Sequence, residues 1–122
     1  MNETSTPHFS GSIAYSAVLG QVLVRKRQTA GGLHQKALAD SLGITQSAYS
    51  RLENGQSAMS LGQLRLVAKA LRCRPGDLLV ETDRYVDVLK AQGVTISDEK
   101  KVTGGELLIG LGILAAILAS SG

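Results

Sequence analysis

A single glycine, Gly43, separates two short stretches of helical pattern, and almost no chain is left to join them. Leu38, Ala39 and Leu42 lie before it, and Tyr49 and Leu52 after it, each set at helical spacing. Two helices so joined must meet near a right angle. Ala39 lets them approach closely. Gly43 supplies the positive φ that ends the first helix without a Cβ clash. Ile44 and Leu52 then close the corner against Leu38 and Leu42. Thr45 is placed to cap the second helix, which runs to about Glu53 before Asn54-Gly55 ends it. With one side buried, its exposed start shows Gln46, Ser47 and Ala48, then Ser50 and Arg51 one turn on.

Flanking patterns supply the rest of a domain. Ile13, Val18, Leu19, Val22 and Leu23 predict a first helix from Ser12 to about Ala30, ended by Gly31-Gly32. The second runs from about His34 to Leu42. Ser60 and Gln63 form a capping box for a fourth helix carrying Leu61, Leu64, Val67, Ala68 and Leu71. Pro75 opens a fifth, which carries Leu78, Leu79, Tyr85, Val86 and Leu89 to about Gln92. Alternation of β-branched residues is nearly absent, so the expected class is all-α, with one domain over 12–92. Residues 1–11 read as a disordered arm and 93–105 as a polar linker with the run Asp98-Glu99-Lys100-Lys101. Residues 106–122 read as an additional apolar C-terminal helix.

Charge is uneven along the chain. Residues 11–83 hold nine Lys/Arg against five acids, whereas 84–122 balance at four each. The basic excess lies with the helix-turn-helix pattern, as phosphate binding requires. The exposed residues of the third helix suit base edges: Gln can bond adenine bidentately, and Arg can pair with guanine or phosphate. Ser47 and Ser50 can bond either, and Ala48 can touch a thymine methyl. Gln35, opening the second helix, faces the DNA backbone, where free N–H groups of a helix terminus favour phosphate.

Other chemistries find little support. Cys73 is alone, which rules out an internal disulfide and a cysteine zinc site. It packs as a small apolar residue in a reduced, cytoplasmic setting. His8 and His34 are too few for a metal site, and no cofactor or small-molecule ligand is implied. No nucleophile, paired-carboxylate or phosphate-loop arrangement appears, so the chain is not expected to be an enzyme. MNETSTPHFSGS lacks the basic-then-apolar run of a secretory signal.

The motif Q-x-x-L-A-x-x-x-G-I-[ST]-Q-x-x-x-S-R-[IL]-E-N-G resembles that of the Cro/repressor helix-turn-helix regulators, also called xenobiotic-response-element-like. Gln35, Leu38, Ala39, Gly43, Ile44, Thr45, Gln46, Ser50, Arg51, Leu52, Glu53, Asn54 and Gly55 carry it. The likeness extends from about Leu19 to Leu79. It implies a five-helix, usually dimeric domain that binds double-stranded DNA through Gln35, Thr45, Gln46, Ser47, Ala48, Ser50 and Arg51. It also implies a salt bridge between Arg27 and Glu53, with Arg25 as a substitute for Arg27. Three positions depart from the family pattern. His34 replaces a Ser/Thr cap. Tyr49 replaces Val or Ile, with its hydroxyl expected to reach solvent or phosphate. Ala48 replaces a larger group on the reading face.

Leu107 to Ala119 is apolar without interruption. As a helix it would be about 20 Å long, short of the roughly 30 Å bilayer core. Gly112, Ala116 and Ser120 form a small-x-x-x-small ladder, and Leu107, Leu111, Leu114 and Leu118 a seam. Three destinations stay open: self-association, a membrane, or the chain's own domain. The resulting expectation is a nucleoid-associated repressor, homo-oligomeric through the fifth helix and this segment. Its rivals are an antitoxin-type interaction module that also binds DNA, and a membrane-tethered regulator.

Overall fold

The computed structural model describes residues 11–98. The elements in order are β1 (Ser12–Ala14), α1 (Tyr15–Thr29), α2 (Gln35–Leu42), α3 (Gln46–Glu53), α4 (Leu61–Ala70), α5 (Pro75–Ala91) and β2 (Thr95–Ser97). Five helices make the domain mostly helical, in line with the all-α expectation. The apolar segment 106–122 and nearly all of the N-terminal arm lie outside the described residues, as does the linker beyond 98. No helix among the described residues is long and apolar enough to cross a membrane.

Local chemistry explains the helix ends. Gly43 closes α2 at φ 69°, and its N–H reaches the carbonyls of Ala39 and Asp40. Thr45 Oγ1 accepts the Ala48 N–H at 3.1 Å and so starts α3. At α4, Ser60 Oγ accepts from the Gln63 N–H at 3.0 Å, and Gln63 Oε1 accepts from the Ser60 N–H at 2.9 Å. Pro75 begins α5, where Asp77 Oδ2 accepts the Arg74 N–H at 3.0 Å. His34 precedes α2 without a side-chain cap.

α1 is central, packing against both α3 and α5. Val18, Val22 and Leu23 from α1 join Leu38, Tyr49, Val67, Leu78 and Leu89 in one buried cluster. Fully burying an aliphatic side chain of this size contributes about 1.5–3 kcal/mol. Leu42 and Ile44 pack on this cluster from the rim and are only half-buried.

Two corrections concern the ends of the domain. Ser12–Ala14, expected as the start of helix one, is a strand, and Thr95–Ser97, expected as linker, pairs with it in parallel. Ile13 stands opposite Ile96, and the Thr95 N–H donates to the Gly11 carbonyl at 3.0 Å. Three-residue strands are too short to show alternation, and their partners are brought together only by the intervening helices. Ile13, Ala14 and Val94 are buried, so the pair is fastened to the core rather than free-standing.

Candidate nucleic-acid interface

The helical periodicity of α3 divides it in two. Tyr49, Leu52 and Glu53 are buried. Gln46, Ser47 and Arg51 are exposed, while Ala48 and Ser50 are half-exposed. Gln46, Ser47 and Ser50 therefore share the outward side with Gln35 of α2, and the four line a shallow concavity of about 370 Å³. Arg51 stands outside its lining. Thr45 is exposed, but its oxygen is engaged in the cap, leaving its hydroxyl hydrogen to donate.

Beneath that surface lies a polar cluster. Glu53 is 1% exposed, and its carboxylate accepts three bonds. Arg27 Nε donates to Oε2 at 2.8 Å, Arg27 Nη2 to Oε1 at 3.0 Å, and Gln35 Nε2 to Oε1 at 2.8 Å. Arg27 Nη1 also donates to the Leu33 carbonyl at 3.2 Å. One guanidinium thus ties α1 to α3 and to the segment entering α2. Its hydrogen bonds to Glu53 hold it protonated above the usual arginine range against an opposing effect of burial.

Gln35 was expected to face the DNA backbone. Its amide is instead partly committed inward, to Glu53, with one N–H left for the outer surface. Of the two arginines that the sequence offered, Arg27 makes the bidentate pair with Glu53.

The hydroxyl of Tyr49 departs from expectation. The residue is wholly buried, and no well-formed hydrogen bond satisfies the phenol oxygen. Burial raises its pKa most, followed by the charge of the adjacent Glu53 carboxylate. The ring fills the corner beneath α3, so the hydroxyl is turned into the polar cluster and cannot reach solvent.

Small residues on α1 permit the approach that this cluster needs. A Cβ at Gly20 would overlap the Glu53 carbonyl, and one at Gly55, where φ is 75°, would overlap Ala17. The sequence carries a signal for this: a glycine inside a helix costs about 1 kcal/mol relative to alanine unless packing needs it. The Gln35–Glu53 bond has no comparable sequence signal, because glutamine at an exposed helix start is unremarkable in composition. Among the described residues no group of His, Cys, Asp and Glu could hold a metal ion.

Comparison with known proteins agrees with this geometry. A family model described as helix-turn-helix matches residues 23–78. The chain is 44% identical over 43 residues to a Bacillus subtilis (strain 168) protein named as the uncharacterized HTH-type transcriptional regulator YozG. That stretch covers 34% of this chain and 51% of the relative, so the chain spans about half the length of the curated protein it matches. No solved structure matches. Residues 23–78 are thus similar to helix-turn-helix domains of the xenobiotic-response-element-like type.

Proposed function

We propose that this protein is a sequence-specific DNA-binding transcriptional regulator that places α3 in the major groove. The observation that carries the proposal is the outward set Gln35, Gln46, Ser47 and Ser50 around one concavity, with Arg51 exposed beside it. Gln46 and Arg51 supply the donors best suited to base edges. Ser47 and Ser50 bond bases or phosphates, and Ala48 offers a methyl contact. The remaining N–H of Gln35 and the free backbone N–H groups that open α2 suit phosphate. Thr45 adds its hydroxyl hydrogen. Arg27 and Glu53 take no part in contact and hold α3 at its angle.

Its mode of action is repression by occupancy, as a homo-oligomer that sets two reading helices on half-sites about one helical turn apart. Exposed Val80 and Val88 on α5 supply apolar surface for such assembly. The apolar run Leu107–Ala119 supplies more from the sequence.

Genome-wide mapping of bound sites, followed by affinity measurement on the recovered operator, tests this reading. Gln46→Ala with Arg51→Ala should abolish specific binding while the helical circular dichroism signal persists. Unchanged operator affinity would overturn the proposal.

A further inference from the structure

The surface between α4 and α5 combines charge and apolar area in a way that DNA reading does not use. Gly62, Arg65, Leu66, Lys69, Cys73, Arg74 and Pro75 line a groove of about 660 Å³ there. No acidic residue occurs from Asn54 to Gly76, whereas Arg65, Lys69, Arg72 and Arg74 all do. All four are exposed, and among the described residues none is in an ion pair. Arg65 and Lys69 are four residues apart and so stand along one side of α4, Arg74 joins them in the groove lining, and Arg72 follows just past the end of the helix. Two acids act on the groove residue Cys73, and both are engaged: Asp77 accepts the Arg74 N–H, and Glu81 pairs with Lys26 at 3.1 Å.

Apolar surface runs through the same patch. Leu66 is 44% exposed within the groove, and Leu61, one turn before Arg65, is 82% exposed. The patch is separate from the reading surface: α4 packs on α2 and α5, and no groove residue lines the concavity at α3.

We propose that this groove docks an acidic, amphipathic polypeptide segment of a partner protein. The proposal is independent of the DNA-binding reading. Each alternative occupant leaves part of the surface unmatched. A DNA backbone neutralises the three lining cations, Arg65, Lys69 and Arg74, but offers nothing apolar to Leu61 and Leu66. A bilayer surface offers both chemistries but is flat and leaves the concavity unfilled. The chain's own segment 98–119 joins its apolar run to three acids, Asp98, Glu99 and Glu106, but Lys100 and Lys101 offset two of them and leave the groove cations largely uncompensated. A segment with carboxylates beside an apolar ridge satisfies all three features, and arginine in particular pairs carboxylates bidentately.

The test uses the isotope-labelled full-length chain and four probes. They are a synthetic helical peptide with Glu and Leu on one face, the same peptide with Gln for Glu, vesicles containing phosphatidylglycerol, and a random-sequence DNA duplex. The Glu peptide should give saturable amide shifts at Arg65, Leu66, Lys69 and Cys73, and none at Gln46 or Ser50. Affinity should fall about tenfold or more for the Gln peptide and for Arg65→Glu with Lys69→Glu, since like or absent charge removes the steering and pairing terms. Both substituted positions are exposed, and circular dichroism checks that the double variant folds. Equal binding of the two peptides, no binding, or shifts centred on α3 would each overturn the inference. Occupation of the same amides by the vesicles or by the duplex in place of the peptide would also overturn it.

Discussion

Arg27 and Glu53 meet through two parallel bonds, Nε to Oε2 at 2.8 Å and Nη2 to Oε1 at 3.0 Å. Their side chains are 15% and 1% exposed, so the pair is largely removed from water. Removing one partner leaves the other charge buried without compensation. Arg27→Met should therefore destabilise the domain by about 3–5 kcal/mol. Replacing both with Met should cost less than the single change, because no orphaned charge remains. Urea denaturation of the parent, Arg27→Met and double variants decides the matter, and a double variant less stable than Arg27→Met would contradict it.

Tyr49→Phe should act in the opposite direction. The hydroxyl is sealed close enough to the Glu53 carboxylate to interact with it, but no hydrogen bond of good geometry reaches it. An unsatisfied buried polar group costs about 1–3 kcal/mol. Deleting it should raise stability by about 1 kcal/mol and leave DNA affinity unchanged. Calorimetry on the two proteins would show a higher Tm for the variant, whereas a lower one would mean that the hydroxyl is bonded.

Two glycines separate strain from collision. Gly43→Ala meets nothing within 4 Å but must hold φ near 69°, which costs about 1–2 kcal/mol. Gly20→Ala has no such φ and yet would drive a methyl into the Glu53 carbonyl. Relief requires α1 to move from α3, which disturbs the Arg27–Glu53 geometry. Gly20→Ala should therefore be the more damaging change in chemical denaturation, and it should weaken operator binding as well. Equal losses would remove the special role of the close approach.

Stability at high pH should depend on Tyr15. Its hydroxyl donates to Asp83 Oδ1 at 2.7 Å, and burial, then that bond, raises its pKa from 10.0 to about 12. Unfolded tyrosine loses its proton first, so the folded state is favoured fully below pH 10 and progressively less as pH rises to about 12. Tyr15→Phe should lessen that slope without abolishing it, because burial also raises the pKa of Tyr49, and should leave the neutral region similar in shape. Denaturant midpoints taken across pH 9–12 would show an unchanged slope if the tyrosine has no such role.

The helices were legible because each announces itself locally. Gly43, Thr45 and the Ser60–Gln63 box mark ends through bonds within a few residues, and the apolar steps of α4 and α5 mark faces. The outward residues of α3 followed from the same periodicity. What was hidden depends on contacts between distant segments. Ile13 and Ile96 pair across nearly the whole domain, and no periodicity survives in three residues. The ring of Tyr49 was expected in the corner, but its hydroxyl was expected to reach solvent or phosphate. In the structure, the gap left by small Ala17 and Gly20 on α1 brings the end of α3 so close that the corner is closed. Gln35 turned partly inward for a related reason: the buried carboxylate of Glu53 has more acceptor sites than Arg27 alone fills.

The parallel pairing of β1 with β2 has a mechanical consequence. Ala14 stands beside Ser97, and the next residue, Tyr15, begins α1. The end of β2 is therefore fixed alongside the first turn of the central helix. β1 continues directly into a 15-residue rod whose far turn holds Arg27. Because Arg27 grips the last residue of α3, the strand pair and the recognition helix are held by opposite ends of one rod, and neither can shift without loading it.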